Sequence, residues 1–154
     1  MDLNDDGYPD ILSGSYSRMG REMAGLFQVL WGRAEGVFAE AEALNGKNDK
    51  PLEIPPDDDV DQNGGVSLDV ICTRPVAVDW DGDDDLDLIV GNFAGTFYWF
   101  QGEGKGRFLD RPQRIEADGK ALQIQGHHSD PFPIDWDGDG DLDLLSGSSQ
   151  GGVQ

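Results

Sequence analysis

One ten-residue pattern of aspartates occurs three times in this chain, as DLNDDGYPDI from Asp2, DWDGDDDLDL from Asp79 and DWDGDGDLDL from Asp135. Each copy puts oxygen-bearing side chains at positions 1, 3, 5 and 9 and an aliphatic residue at position 10. Like charges held this close repel one another, so a cation is needed to neutralise a tightly folded loop. The three copies contain 15 of the 31 acidic residues, which gives about half of the acidity a local explanation.

The spacing suits calcium, a hard cation that takes about six to eight oxygens at roughly 2.3–2.6 Å. Alternate side chains of a tight loop turn toward one centre, position 7 offers its backbone carbonyl, and water completes the shell. The expected ligands of loop one are Asp2, Asn4, Asp6, the Tyr8 carbonyl and Asp10. Those of loop two are Asp79, Asp81, Asp83, the Asp85 carbonyl and Asp87, and those of loop three are Asp135, Asp137, Asp139, the Asp141 carbonyl and Asp143. Position 6 must turn sharply, which favours glycine. Gly7 and Gly140 comply and Asp84 does not, so loop two is expected to bind more weakly than loop three. The aliphatic Ile11, Leu88 and Leu144 at position 10 are expected to point into a core, and Trp80 and Trp136 at position 2 to pack on a neighbouring unit. An EF-hand would need a bidentate Glu at position 12 and flanking helices; position 12 is Ser13, Val90 or Ser146.

The loop starts are 77 and 56 residues apart, yet internal anchors reveal one repeat. Phe27 to Ile54 and Phe97 to Ile124 both span 27 residues, and Gly32, Gly36 and Phe38 align with Gly102, Gly106 and Phe108. The basic unit is therefore 56 residues, with insertions of 7 and 14 residues in the first copy. The division is unit one at 1–74, unit two at 75–130 and a partial unit three at 131–154.

Alternating and aromatic runs predict four short strands in unit two, at 75–78, 86–92, 96–101 and 107–115. No segment carries a sustained helical stripe; residues 18–24 read as an irregular loop, with a helical turn as the alternative. Four strands per repeat match a β-propeller blade. The expected fold is all-β: about two to three blades of four antiparallel strands, a fragment of a larger propeller with exposed edges.

The motif D-x-[DN]-x-D-G-x-x-D-[LI], followed by a small residue and glycine, stands here as DLNDDGYPDILSG, DWDGDDDLDLIVG and DWDGDGDLDLLSG. At these residues the chain resembles the FG-GAP/VCBS repeat family, whose best-known relatives are the N-terminal propellers of integrin α subunits. That resemblance implies a seven- or eight-bladed propeller with calcium between the first two strands of a blade. It also implies extracellular, cell-surface or periplasmic placement and a role in adhesion or glycan binding. Asp84 departs from the motif glycine, and GNFAG at 91–95 is only a faint echo of the FG-GAP tag.

The net charge of −20 leaves no basic patch for nucleic acid, and no apolar run approaches the ~18 residues of a membrane span. Cys72, the only cysteine, excludes a disulfide framework and reads as a buried residue on a strand. Asp59, Asp61 and Asn63, with Ser67, form a degenerate fourth copy of the loop pattern within the insertion at 55–69. His127, His128 and Asp130 are the only cluster resembling acid–base equipment. The leading expectation is thus a non-enzymatic calcium-binding propeller module whose partners are a surface protein or glycan and the missing blades. The alternative is the propeller part of a secreted polysaccharide lyase or hydrolase, with a site at 55–69 and the two histidines.

Overall fold

The computed structural model describes residues 1–16, 25–55 and 67–153. These form an all-β structure of small antiparallel sheets. Sheet one is β1 (Ile11–Ser13), β2 (Gln28–Leu30) and β3 (Glu42–Ala43), hydrogen-bonded in that order. Sheet two is the meander β4 (Arg74–Val78), β5 (Asp87–Gly91), β6 (Phe97–Phe100) and β7 (Gln113–Arg114). A hairpin of β8 (Glu116–Ala117) and β9 (Lys120–Ala121) follows, and β10 (Asp130–Ile134) pairs with β11 (Asp143–Gly147) as sheet three. Loop two joins β4 to β5 and loop three joins β10 to β11 in the same register, Val78 opposite Asp87 and Ile134 opposite Asp143.

The β5 sequence DLIVG is buried at every position, as expected of a strand covered on both faces. Successive side chains of a strand alternate between faces. Leu88, Val90, Tyr98 and Phe100 of sheet two accordingly form one core cluster with Phe27 and Val29 of unit one. Leu12 packs against the same cluster. Phe27 and Phe100 meet edge to face, with centroids 5.5 Å apart. Neither ring has measurable exposure, and truncating such a ring to alanine costs about 3–5 kcal/mol.

The glycine that closes the first two motifs has a packing reason. A Cβ on Gly14 would lie 1.8 Å from the Thr73 carbonyl oxygen, and one on Gly91 would lie 2.3 Å from that of Ser129. Backbone thus touches backbone between successive units. The contacts are sealed by hydrogen bonds from Ser15 N–H to Thr73 Oγ1 (2.7 Å) and from Asn92 N–H to Ser129 Oγ (2.8 Å).

Five points depart from expectation. The fourth strand of unit two is only Gln113–Arg114, with an isolated bridge between Gly102 and Phe108. Pro112 has no N–H to continue the ladder. The unexpected β8–β9 hairpin turns on Asp118 and Gly119, both left-handed (φ 53° and 73°), as a two-residue turn requires. Ile11 is 44 % exposed, whereas its counterpart Leu88 is fully buried, because Ile11 lies on the face of sheet one turned away from sheet two. Cys72 is buried as expected, but in a left-handed bend (φ 55°) rather than on a strand. The repeat register also slips: Leu44 N–H bonds Phe27 O where Ile115 N–H bonds Phe97 O, an offset of 71, while Ile54 and Ile124 keep an offset of 70. The segment 18–24 lies outside the described residues.

Candidate metal centres

In each loop the first aspartate folds the backbone around itself. Asp79 Oδ1 accepts the N–H groups of Gly82 (2.8 Å) and Asp83 (3.1 Å), and its Oδ2 accepts that of Asp84 (3.1 Å). Asp135 does the same for Gly138 (2.7 Å) and Gly140 (3.2 Å), and Asp2 for Asp6 (3.1 Å) and Gly7 (2.8 Å). Such turns leave the remaining lone pairs of the carboxylate directed into the loop.

The ninth residue closes the ring. Asp87 Oδ2 accepts the Trp80 N–H at 2.9 Å, and Asp143 Oδ2 accepts that of Trp136 at 3.0 Å. Asp10 Oδ2 accepts the Leu3 N–H at 2.8 Å. In loops two and three this brings positions 1, 3 and 9 together. Carboxylate oxygens of Asp79, Asp81 and Asp87 lie within 4.8 Å of one another, as do those of Asp135, Asp137 and Asp143. Either triad could hold a metal ion.

Position 5 also accepts a hydrogen bond within its own loop. Asp6, Asp83 and Asp139 each give one oxygen to the N–H of position 7, that is Tyr8, Asp85 and Asp141, at 2.9–3.0 Å. Each keeps its second oxygen for another partner. In loop one, Asn4 accepts the Asp6 N–H through Oδ1 and donates to Asp6 Oδ2 through its amide.

Two positioning features escaped the sequence reading. Gly32 N–H donates to Asp10 Oδ1 at 2.7 Å, and Gly102 N–H donates to Asp87 Oδ1 at 2.5 Å. A Cβ on either glycine would lie 2.2 or 2.4 Å from the carbonyl oxygen of loop position 8, Pro9 or Leu86. The alignment of these glycines was visible; their contact with the loop, across 15 or more residues of chain, was not. Gln101 was missed as well: its amide donates to Asp81 Oδ2 at 2.9 Å. The second feature is a left-handed residue at position 4 in addition to position 6. Position 4 is Asp5 (φ 60°), Gly82 (77°) or Gly138 (79°), and position 6 is Gly7 (89°), Asp84 (72°) or Gly140 (98°). Loop three has glycine at both places, and loops one and two each force one aspartate into that region.

Crowding shows in the acidities. Asp81 is raised above the usual carboxylate value by desolvation first, then by Asp87, Asp83 and Asp79, with the Gln101 hydrogen bond opposing. Asp85 is raised by desolvation and by Asp83, Asp5, Asp79 and Asp87. The influence of Asp5 places loops one and two at the same end of neighbouring sheets.

Residues 79–146 match the model of an FG-GAP-like repeat. This stretch belongs to the FG-GAP-like repeat family. The FG-GAP-like repeat begins on Asp79, the first residue of loop two, and ends in β11, so it carries loops two and three whole. Loop one repeats the pattern outside the matched FG-GAP-like segment. No curated protein and no solved structure matches the chain.

The other candidates stand apart from these loops. Asp59, Asp61 and Asn63 lie outside the described residues, and Ser67 is buried. Asp69, which the repeat pattern does not single out, is 4 % exposed and receives Tyr98 OH, Arg114 Nη2 and Thr96 Oγ1, each at 2.8 Å. Burial pushes the Tyr98 hydroxyl well up, against the opposing Arg114 bond. This satisfied network ties the end of the insertion to sheet two. His127 stacks on Phe93 at 5.0 Å and His128 meets the same ring edge-on at 4.6 Å. Among the described residues no helix is long and apolar enough to cross a membrane.

Proposed function

We propose that this chain is a calcium-binding β-propeller-type module without catalytic activity, acting outside the cell, at its surface or in the periplasm through contact with a protein or glycan. The observation that carries the metal reading is the convergence of positions 1, 3 and 9 in loops two and three, with oxygens within 4.8 Å of one another. Only oxygen donors are gathered, which favours calcium over softer metals. Calcium binds the folded loop and not the unfolded chain, and so stabilises the fold by linkage. Modules of this ligand type bind at about 10⁻⁴–10⁻³ M, which fills them outside a cell and leaves them nearly empty in cytosol.

Support for the propeller comes from the face-to-face packing of successive antiparallel sheets and from the FG-GAP-like match. The outer faces of sheets one and three carry Ile11, Phe132 and Val153, at 44, 59 and 72 % exposure. In this reading they receive further blades of the same propeller. Trp136, 69 % exposed where Leu3 is 2 % exposed, sits where the next blade would cover it. The competing reading, part of a secreted polysaccharide lyase or hydrolase, draws on His127 and His128, whose rings have a packing use on Phe93. A thermal melt tests the proposal: millimolar calcium raises the midpoint and magnesium does so less. An unchanged midpoint would remove the metal reading.

A further inference from the structure

At the end of the strands opposite the metal loops, a cleft of about 440 Å³ opens between units. Arg74 and Asp130, the first residues of β4 and β10, line it together with Tyr16, His128, Ser148 and Ser149. We propose that this cleft binds a carboxylate-bearing saccharide, its carboxylate paired with the Arg74 guanidinium and its C–H face laid on the Tyr16 ring. The inference deepens the contact role proposed above and rests on it, while using none of the metal ligands.

Four observations converge. First, Arg74 makes no ion pair among the described residues, although the chain carries 31 acidic groups against 11 lysines and arginines. A half-buried guanidinium left unpaired in so acidic a protein is available to an anion from outside, and its planar fork matches a carboxylate. Second, Tyr16 is 79 % exposed, an unusual display for a large ring. Third, only three buried side-chain polar atoms lack a hydrogen-bond partner among the described residues, and two of them, His128 Nδ1 and Ser148 Oγ, belong to residues of this cleft. Such orphans are rare in native folds and call for a reason; a hydroxyl-bearing ligand reaching them would supply one. Fourth, the left-handed backbone at His128 (φ 65°) recurs at the equivalent Cys72 (φ 55°). The repeat therefore demands the bend there but not the imidazole.

The same residues argue against other anions. A phosphate is met by several cations or a nest of N–H groups, whereas here one arginine shares the cleft with Asp130, which repels a dianion and accepts hydroxyls. The acidity of the metal loops is not an obstacle. Loop two begins at the far end of β4, whose five residues extend for roughly 15 Å, beyond the ~8 Å screening length of physiological salt.

The test is calorimetry and NMR on the 154-residue chain with a panel of uronate trimers (galacturonate, mannuronate and guluronate) and their methyl esters. At least one acid is expected to bind about tenfold tighter than its ester, to lose most of that binding in Arg74→Gln, and to shift the Tyr16 ring signals. Tyr16→Ala, at an exposed position, tests the stacking contact in a fold that remains intact by circular dichroism. Equal affinity for acid and ester, no binding by any member of the panel, or undiminished binding in both variants would overturn the proposal. So would equal binding of a carboxylate-bearing peptide. The calcium-dependent melt is read separately, so failure here leaves the metal reading standing, and the reverse.

Discussion

Gly102 and Asp87 are joined by a hydrogen bond from the end of one strand to the last carboxylate of loop two, with the glycine Cα pressed toward the Leu86 carbonyl. The same bond joins Gly32 to Asp10. The candidate metal loop is therefore held by the third strand of its own sheet as well as by the two strands that flank it. A closing carboxylate tied down on both oxygens is pre-organised, and little order remains to be imposed when a cation arrives.

Gly102→Ala should accordingly damage fold and site together. The new Cβ would sit 2.4 Å from a backbone oxygen, and such overpacking costs about 1–3 kcal/mol. Gly147→Ala is the control, since nothing lies within 4 Å of its Cβ position and its φ is ordinary; a change within about 0.5 kcal/mol is expected there. Denaturant melts with and without calcium measure both. Equal effects of the two substitutions would contradict the role given to Gly102.

Two carboxylates of loop two should separate ligand from scaffold. Asp81 is exposed and Asp87 is fully buried. Asp81→Asn removes a charge from a repelling cluster, so the metal-free protein keeps or gains stability while the calcium-induced rise in midpoint shrinks. Asp87→Asn turns an acceptor of two N–H groups into a group with one acceptor oxygen and one donor. A buried N–H left unsatisfied costs about 1–3 kcal/mol, so the metal-free protein itself melts earlier. Midpoints in chelator and in calcium distinguish the two patterns.

Strain at the left-handed aspartates gives a gain-of-stability prediction. Asp84→Gly in loop two and Asp5→Gly in loop one each relieve about 1 kcal/mol of left-handed strain and should tighten calcium binding at that loop by up to about fivefold. Gly138→Ala in loop three should do the opposite at similar size, since its φ is 79°. Isothermal titration of the variants reads the affinities; unchanged binding in all three would mean that backbone strain does not limit these sites.

The raised pKa values of Asp81 and Asp85 set the sign of a pH dependence. In the metal-free fold both take up a proton at higher pH than they do in the unfolded chain. The folded state thus binds more protons in the window above the ordinary carboxylate value, and these two groups lower stability as pH rises through it. Acidifying the metal-free protein toward the ordinary carboxylate value should raise their contribution. The calcium-saturated protein should lose stability over the same range, because bound metal requires deprotonated ligands. Crossing midpoint–pH curves in chelator and in calcium would verify this; parallel curves would refute it.

Much of this was legible in the residues. The alternation in LDLIVG and the aromatics of TFYWFQ located β5 and β6 within a residue or two at each end, because a strand buried on both faces leaves a plain apolar run. The short fourth strand was not legible, since its two residues owe their pairing to the partner strand rather than to their own pattern, and Pro112 ends the ladder. In the loops, the need for a left-handed residue at position 6 could be read from Gly7 and Gly140. The same need at position 4 was masked by Asp5, which has a side chain yet takes the same conformation.

By itself the sequence determined the repeat, the all-β character and the donor chemistry, because these depend on residue type at short spacing along one chain. Only the tertiary structure decided which donors converge, which glycines brace them, and that Asp69 is buried while Ile11 is exposed. Those outcomes depend on which surfaces successive sheets turn toward one another. Two residues with equivalent places in the repeat, Ile11 and Leu88, therefore have opposite environments, because only the second faces a neighbouring sheet.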